Sequence, residues 1–225
     1  MRGVERNVLE VIARHGIIDG ETLDRHFYEG NSDQRNYRMR QLAVDQLVVD
    51  FRLDAKRKYW VLGKSGEAAC GVKRRGRTRD FAGEELKKRY GMVRFCFDRE
   101  EPFVLLRNDE LEAEFADITE GIEGVRCHYF FEVKDGKPNR LGHLLVDTLN
   151  PEDQLLKRVG EAVRKRSGNE KFRELVRARA FYCVIVTGDE KKALALASAA
   201  KERQAKHGLS VAVETHVVPD LFDLS

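Results

Sequence analysis

Asp117, Glu132 and Lys134 are the side chains whose types and spacing suit phosphodiester hydrolysis. Glu132 and Lys134 stand two apart near the end of the β-prone stretch Val125–Lys134 (VRCHYFFEVK), and a spacing of two puts both on one face of a strand. Ala116–Glu120 is predicted to start a preceding strand, with Asp117 at its head and a turn bounded by Gly121 and Gly124 after it. A hairpin of these two strands brings Asp117 alongside Glu132. Two carboxylates so placed hold Mg²⁺, which takes oxygen ligands and keeps several waters. A lysine beside the metal orients the attacking water and stabilises charge on a phosphate. The alternative is an ordinary solvated strand end bearing an ion pair, because an ExK triplet recurs by chance in a chain that is 35% Asp, Glu, Lys and Arg.

A second group of side chains suits contact with nucleic acid. Asp33–Asp45 reads as a helix capped by Ser32, with Met39, Leu42, Ala43 and Leu47 on one stripe and Gln34, Tyr37, Arg38 and Gln41 on the other. Arg and Gln make bidentate hydrogen bonds to guanine and adenine edges. Leu47–Leu53 and Tyr59–Leu62 read as the strands of a hairpin whose tip carries Lys56, Arg57 and Lys58, cations suited to phosphate. Tyr37 is placed on the DNA-facing side, but nothing near it would activate it as a nucleophile.

These residues need elements to hold them. Val4–His15 is an amphipathic helix stopped by Gly16, and Glu21–Tyr28 is a second short helix. Helix, helix, capped helix and basic hairpin, in that order, make a winged helix-turn-helix, predicted for residues 1–72. Its third helix would enter the major groove and its hairpin would lie against phosphates. Residues 73–82, which include KRRGRTRD (Lys73–Asp80), read as a basic linker. Residues 83–225 read as an α/β domain with a mixed sheet. Its expected elements are a helix in Phe81–Tyr90, a strand Met92–Phe97, a helix Asn108–Phe115 and the two strands described above. Helices Glu152–Arg166 and Glu170–Arg179 follow, then a buried strand Phe181–Thr187, a helix Glu190–His207 and a strand Ser210–Val218.

The net charge of +3 is unevenly spread. Residues 1–80 hold 17 Lys and Arg against 12 Asp and Glu, and the remainder 24 against 26, so the basic charge belongs to the N-terminal part. No apolar run approaches the roughly 18 residues of a membrane span, and the first ten residues have no apolar signal core. A cytoplasmic location is therefore expected. Cys70, Cys96, Cys127 and Cys183 are widely spaced and form no CxxC, so neither a zinc site nor a redox pair is expected. Double-stranded DNA is the expected partner, Mg²⁺ the one metal in view, and no small-molecule cofactor is expected. Winged helices often bind as dimers, and a homodimer stays open.

An aspartate, then ExK after a hairpin, then a helix and a buried strand resembles the PD-(D/E)xK nuclease superfamily, without the proline before the aspartate (Phe115-Ala116-Asp117). More of the chain resembles the replication-relaxation family of plasmids and other mobile elements, including mobilisation proteins of the MobC type. The matching segments are Arg38–Phe51 (RMRQLAVDQLVVDF), Tyr59–Gly71 (YWVLGKSGEAACG), Ala116–Ile118 and Phe131–Gly136 (FFEVKDG). Gln46 departs from the pattern, which often ends that helix with Gly, and Lys134 stands where the family often has Asp. The resemblance implies an α+β chain, a winged helix followed by a PD-(D/E)xK-like domain, acting in replication or mobilisation. For a relaxase-like member it implies nicking of DNA at a transfer origin, by a metal-dependent endonuclease site. The reading that competes with it is a transcriptional or replication regulator whose α/β domain is a non-catalytic dimerisation or partner module.

Overall fold

The computed structural model describes residues 3–72, 80–119, 128–135, 137–207 and 211–224. The chain divides into two compact units, Met1–Asp98 with Asp223–Ser225, and Arg99–Phe222. Among the described residues no helix is long and apolar enough to cross a membrane.

The first unit runs α1 (Gly3–His15), β1 (Ile18–Asp19), α2 (Gly20–Phe27), α3 (Ser32–Val44), β2 (Val48–Arg52), β3 (Lys58–Leu62), α4 (Lys64–Ala69) and α5 (Gly83–Phe97). The three strands form an antiparallel sheet in the order β1-β3-β2. Val8, Leu9 and Ile12 of α1 recur at helical spacing and bury against Leu23, Met39, Leu42, Val48, Trp60 and Leu62. Gly16 ends α1 at φ +85, and a Cβ there would lie 1.7 Å from Arg89 Nη1. The Asp19 carboxylate caps α2, its Oδ1 accepting from the Glu21 and Thr22 amides at 2.9 and 3.0 Å. The cap of α3 is Asn31, one residue before the expected Ser32, with Oδ1 accepting from the Gln34 amide at 2.9 Å.

The stretch Met92–Phe97, expected as a strand, is the second half of α5. Met92, Val93, Phe95, Cys96 and Phe97 are all buried, so an apolar run that looks β-prone in isolation is satisfied as the inner part of a helix. This helix belongs to the first unit, whereas the sequence reading placed the boundary at residue 82. Arg94 is the tie: it pairs with Glu21 of α2, at 3.0 Å for Nη2–Oε1, and with Asp98. Tyr59 of β3 is a second tie, its hydroxyl donating to Asp80 and accepting from the Phe81 amide at 2.8 Å. Of the expected linker, residues 73–79 lie outside the described residues.

The second unit runs β4 (Val104–Leu105), α6 (Asn108–Thr119), β5 (His128–Lys134), β6 (Lys137–Val146), α7 (Glu152–Arg166), α8 (Glu170–Arg177), β7 (Phe181–Thr187), α9 (Glu190–His207) and β8 (Ala212–Val217). Among the described residues its sheet is mixed, in the order β4-β5-β6-β7-β8. β4, β5 and β6 pair antiparallel, and β6, β7 and β8 pair parallel. The crossovers β6 to β7 and β7 to β8 step in the same direction, so a common right hand puts α7, α8 and α9 on one face. There Leu155, Leu156, Val159, Phe172, Leu196 and Ala200 bury against Tyr129, Leu141, Cys183 and Ile185. β7 is buried along its whole length, as its continuous apolar run predicts.

Two expectations change here. Ala116–Thr119 continues α6 past a break at Phe115 (φ −134, ψ 37) and is not a strand. The hairpin partner of β5 is β6, which follows it, and not a strand preceding it. Pro138 and Gly142 hide β6 in the sequence. Gly142 is required because a Cβ there would lie 2.0 Å from the Phe130 ring across the hairpin.

Candidate functional site

The exposed face of α3 carries Gln34, Tyr37, Gln41 and Val44, spaced 3, 4 and 3 residues apart and hence in one stripe. Met39 and Leu42 form its buried face, with Arg35 beside them, half-buried and donating to Asp24 at 2.5 Å and to the Gly20 carbonyl at 3.0 Å. Among the described residues the side-chain amides of Gln34 and Gln41 have no partner. Arg38 turns off the stripe. Its guanidinium lies 3.6 Å from Glu5, a buried carboxylate on α1, and beside the Tyr37 ring. Arg38 therefore holds α3 to α1, and the outward stripe is neutral.

The hairpin tip sorts its three cations by local chemistry. Asp54 Oδ1 accepts from the amides of Lys56 and Arg57, each at 2.8 Å, which closes the turn. Those bonds, that of the Lys56 amide first, hold its carboxyl below the usual range. The other oxygen takes Arg57 Nε at 2.5 Å, and Arg57 Nη1 donates to Tyr90 at 3.2 Å. Arg57 is thus drawn inward. Lys58 remains exposed but pairs with Asp50 across the strands at 2.7 Å. Lys56 is exposed with no side-chain partner among the described residues.

Between α3 and the hairpin lies a cleft of about 570 Å³, lined by Asn36, Arg40, Asp50, Lys56, Lys58 and Trp60 among others. Arg40 and Val44 are the members of this surface that the sequence reading passed over. Their signal was the helical period itself, since Arg40 flanks Tyr37 and Gln41, and Val44 continues their row.

In the second unit Glu132 meets a guanidinium. Arg140, opposite it on β6, donates from Nε to Glu132 at 2.5 Å and from Nη1 to Glu214 at 3.2 Å. The same guanidinium lies over the Tyr182 ring, 4.0 Å from its centroid. Burial pushes the Tyr182 hydroxyl up, with the Glu132 charge adding to it. Glu132, Phe130 and Tyr182 share one sheet face. α6 packs through Leu111 and Phe115 on the opposite face, against Tyr129 and Phe131. The helix that carries Asp117 and the carboxylate of Glu132 thus lie on opposite sides of the sheet. The Asp117 side chain itself lies outside the described part of the structure. Lys134 is exposed at the hairpin end, paired in register with Lys137. A Mg²⁺ site needs a free carboxylate, and Glu132 is engaged by an arginine. Among the described residues no group of three His, Cys, Asp or Glu is placed to hold a metal. The residues on this face do not fit the two-carboxylate site.

A further polar cluster, unmarked in the sequence, closes the C-terminal ends of β6 and β7. Asp147 is fully buried and accepts from the Asn150 amide at 2.9 Å, Thr187 Oγ1 at 3.0 Å and Lys192 Nζ at 2.6 Å. Lys192 donates to the Asn150 carbonyl as well. Both carboxylate oxygens are used, so the cluster is a clamp on the strand ends.

Compared with family models, with curated proteins and with solved structures, the chain matches none.

Proposed function

We propose that this chain is a DNA-binding protein whose first unit is a winged helix-turn-helix that reads duplex DNA through α3. The single observation that supports it most is the outward stripe Gln34–Tyr37–Gln41, whose two side-chain amides have no partner among the described residues and which stands beside the cleft and the basic hairpin tip. Free side-chain amides recognise adenine edges, and Lys56 and Arg40 stand where a phosphate chain would pass. The second unit, with its helix, hairpin, and parallel strands joined by helices, is read as a PD-(D/E)xK-like domain. It serves as a non-catalytic partner or dimerisation module, because Glu132 is neutralised by Arg140. The resemblance of Arg38–Phe51, Tyr59–Gly71 and Phe131–Gly136 to replication-relaxation proteins supports a place in plasmid replication or mobilisation.

The test is fluorescence anisotropy of labelled duplex DNA with the full chain, for wild type and for Gln34→Ala/Gln41→Ala. Binding that weakens with salt and loses its preference among sequences in the double variant is the expected result. No duplex bound at low salt overturns the reading.

A further inference from the structure

Val44 is 76% exposed and Tyr37 60%, the first and fourth most exposed of the large apolar side chains among the described residues. A single exposed valine is unremarkable. This one closes a row that also holds two uncommitted amides and an aromatic ring. Gln34, Tyr37, Gln41 and Val44 extend over eleven residues, about 15 Å of helix from first to last, or the rise of some four base-pair steps. None of the four is charged. The guanine edge is best met by Arg or Lys and the cytosine amine by Asp or Glu, and the row contains none of these. The major-groove edge of an A·T pair instead offers adenine N6 and N7, which suit a glutamine amide, and the thymine C5-methyl, which suits an apolar side chain. Arg40 and Lys56 line the cleft along one side of the row and supply cations for a phosphate strand there.

We propose that Val44 packs against a thymine C5-methyl group in a major groove of A·T pairs and is a specificity-determining residue of the chain. This rests on reading the first unit as a duplex-DNA binder and names the base chemistry that the binder selects. Gln41, one turn before Val44, sits over the adjacent step and suits an adenine.

The experiment starts from a duplex library with a random core, from which the full-length protein selects its preferred sites. Each thymine of a selected site is then replaced by uracil, which removes only the methyl group. Affinity is measured at fixed salt for wild type and for Val44→Ala, a change at an exposed helical position that leaves folding intact. One uracil should weaken wild type by about three- to five-fold, the factor for withdrawing one buried methyl. The same uracil should leave Val44→Ala unaffected. Wild-type affinity that is indifferent to every uracil, or a Val44→Ala variant that loses the same factor as wild type, overturns the assignment and leaves the DNA-binding reading standing. A library from which nothing is enriched overturns both.

Discussion

Arg140 sits across the β5–β6 hairpin from Glu132 and donates to its carboxylate at 2.5 Å, while its own face covers the Tyr182 ring. The pair is half-buried, so breaking it leaves a charge without its counter-ion in a partly desolvated place. Arg140→Met should therefore lower the stability of the second unit by roughly 1–2 kcal/mol in urea unfolding. Supercoiled DNA should stay intact with Mg²⁺ or Mn²⁺ at high protein concentration. Cutting that disappears in Glu132→Gln would reinstate a metal-bound Glu132.

The hairpin tip makes a prediction that separates residues of equal charge. Lys56 is uncommitted and Arg57 is held by Asp54 and Tyr90. Lys56→Ala should reduce the slope of log affinity against log salt by about 0.9, the value for one phosphate contact, without changing stability. Arg57→Ala should loosen the turn and lower stability while leaving the salt slope near that of wild type. Equal salt slopes in wild type and Lys56→Ala, measured on one duplex, would remove Lys56 from the interface.

What was legible in the sequence follows from how local each signal is. Phe181–Thr187 and Glu190–His207 match β7 and α9 residue for residue, because a continuous apolar run and an uninterrupted helical composition leave little choice. The stripe of α3 was read from the period alone. Arg38 was misplaced on it because its partner, Glu5, lies 33 residues away and no local pattern announces an ion pair. The environment of Glu132 stayed hidden for the same reason. Its surroundings are set by β6, and β6 is disguised by Pro138 and Gly142, the second of which exists to admit the Phe130 ring.

Two buried histidines make stability depend on pH. His15 and His143 are each pushed down from 6.5 to about 3, chiefly by burial, with Arg14 adding for the first, and Arg166 and His128 for the second. Each stays neutral in the folded chain while the unfolded chain takes up a proton below 6.5. The stability they contribute is complete above pH 6.5 and is lost as pH falls toward 3. The slope is about 1.4 kcal/mol per pH unit for each residue. Urea unfolding between pH 7.5 and 4.5 should show this fall in each unit. His15→Leu should flatten it by one proton in the first unit only. A wild-type stability that is level from pH 7 to 5 would contradict the neutral burial of both rings.

Gln46 offers a stabilising change. It follows the end of α3 at φ +57, a left-handed conformation that Gly adopts freely and a side chain with a Cβ does not. The surrounding bonds are those of a Schellman turn. The Leu47 amide donates to the Leu42 carbonyl at 2.8 Å, and the Gln46 amide to that of Ala43 at 3.0 Å. The Gln46 carbonyl in turn accepts from the Ser65 amide at 3.1 Å, so the backbone is fixed from both sides and does not relax away from the strained angle. Gln46→Gly should raise the unfolding free energy of the first unit by about 1 kcal/mol, the left-handed penalty less the added chain entropy of glycine. Gln46→Ala keeps the Cβ and should give little or no gain. If glycine and alanine shift the urea midpoint equally, the effect lies in the lost side chain and not in the backbone angle.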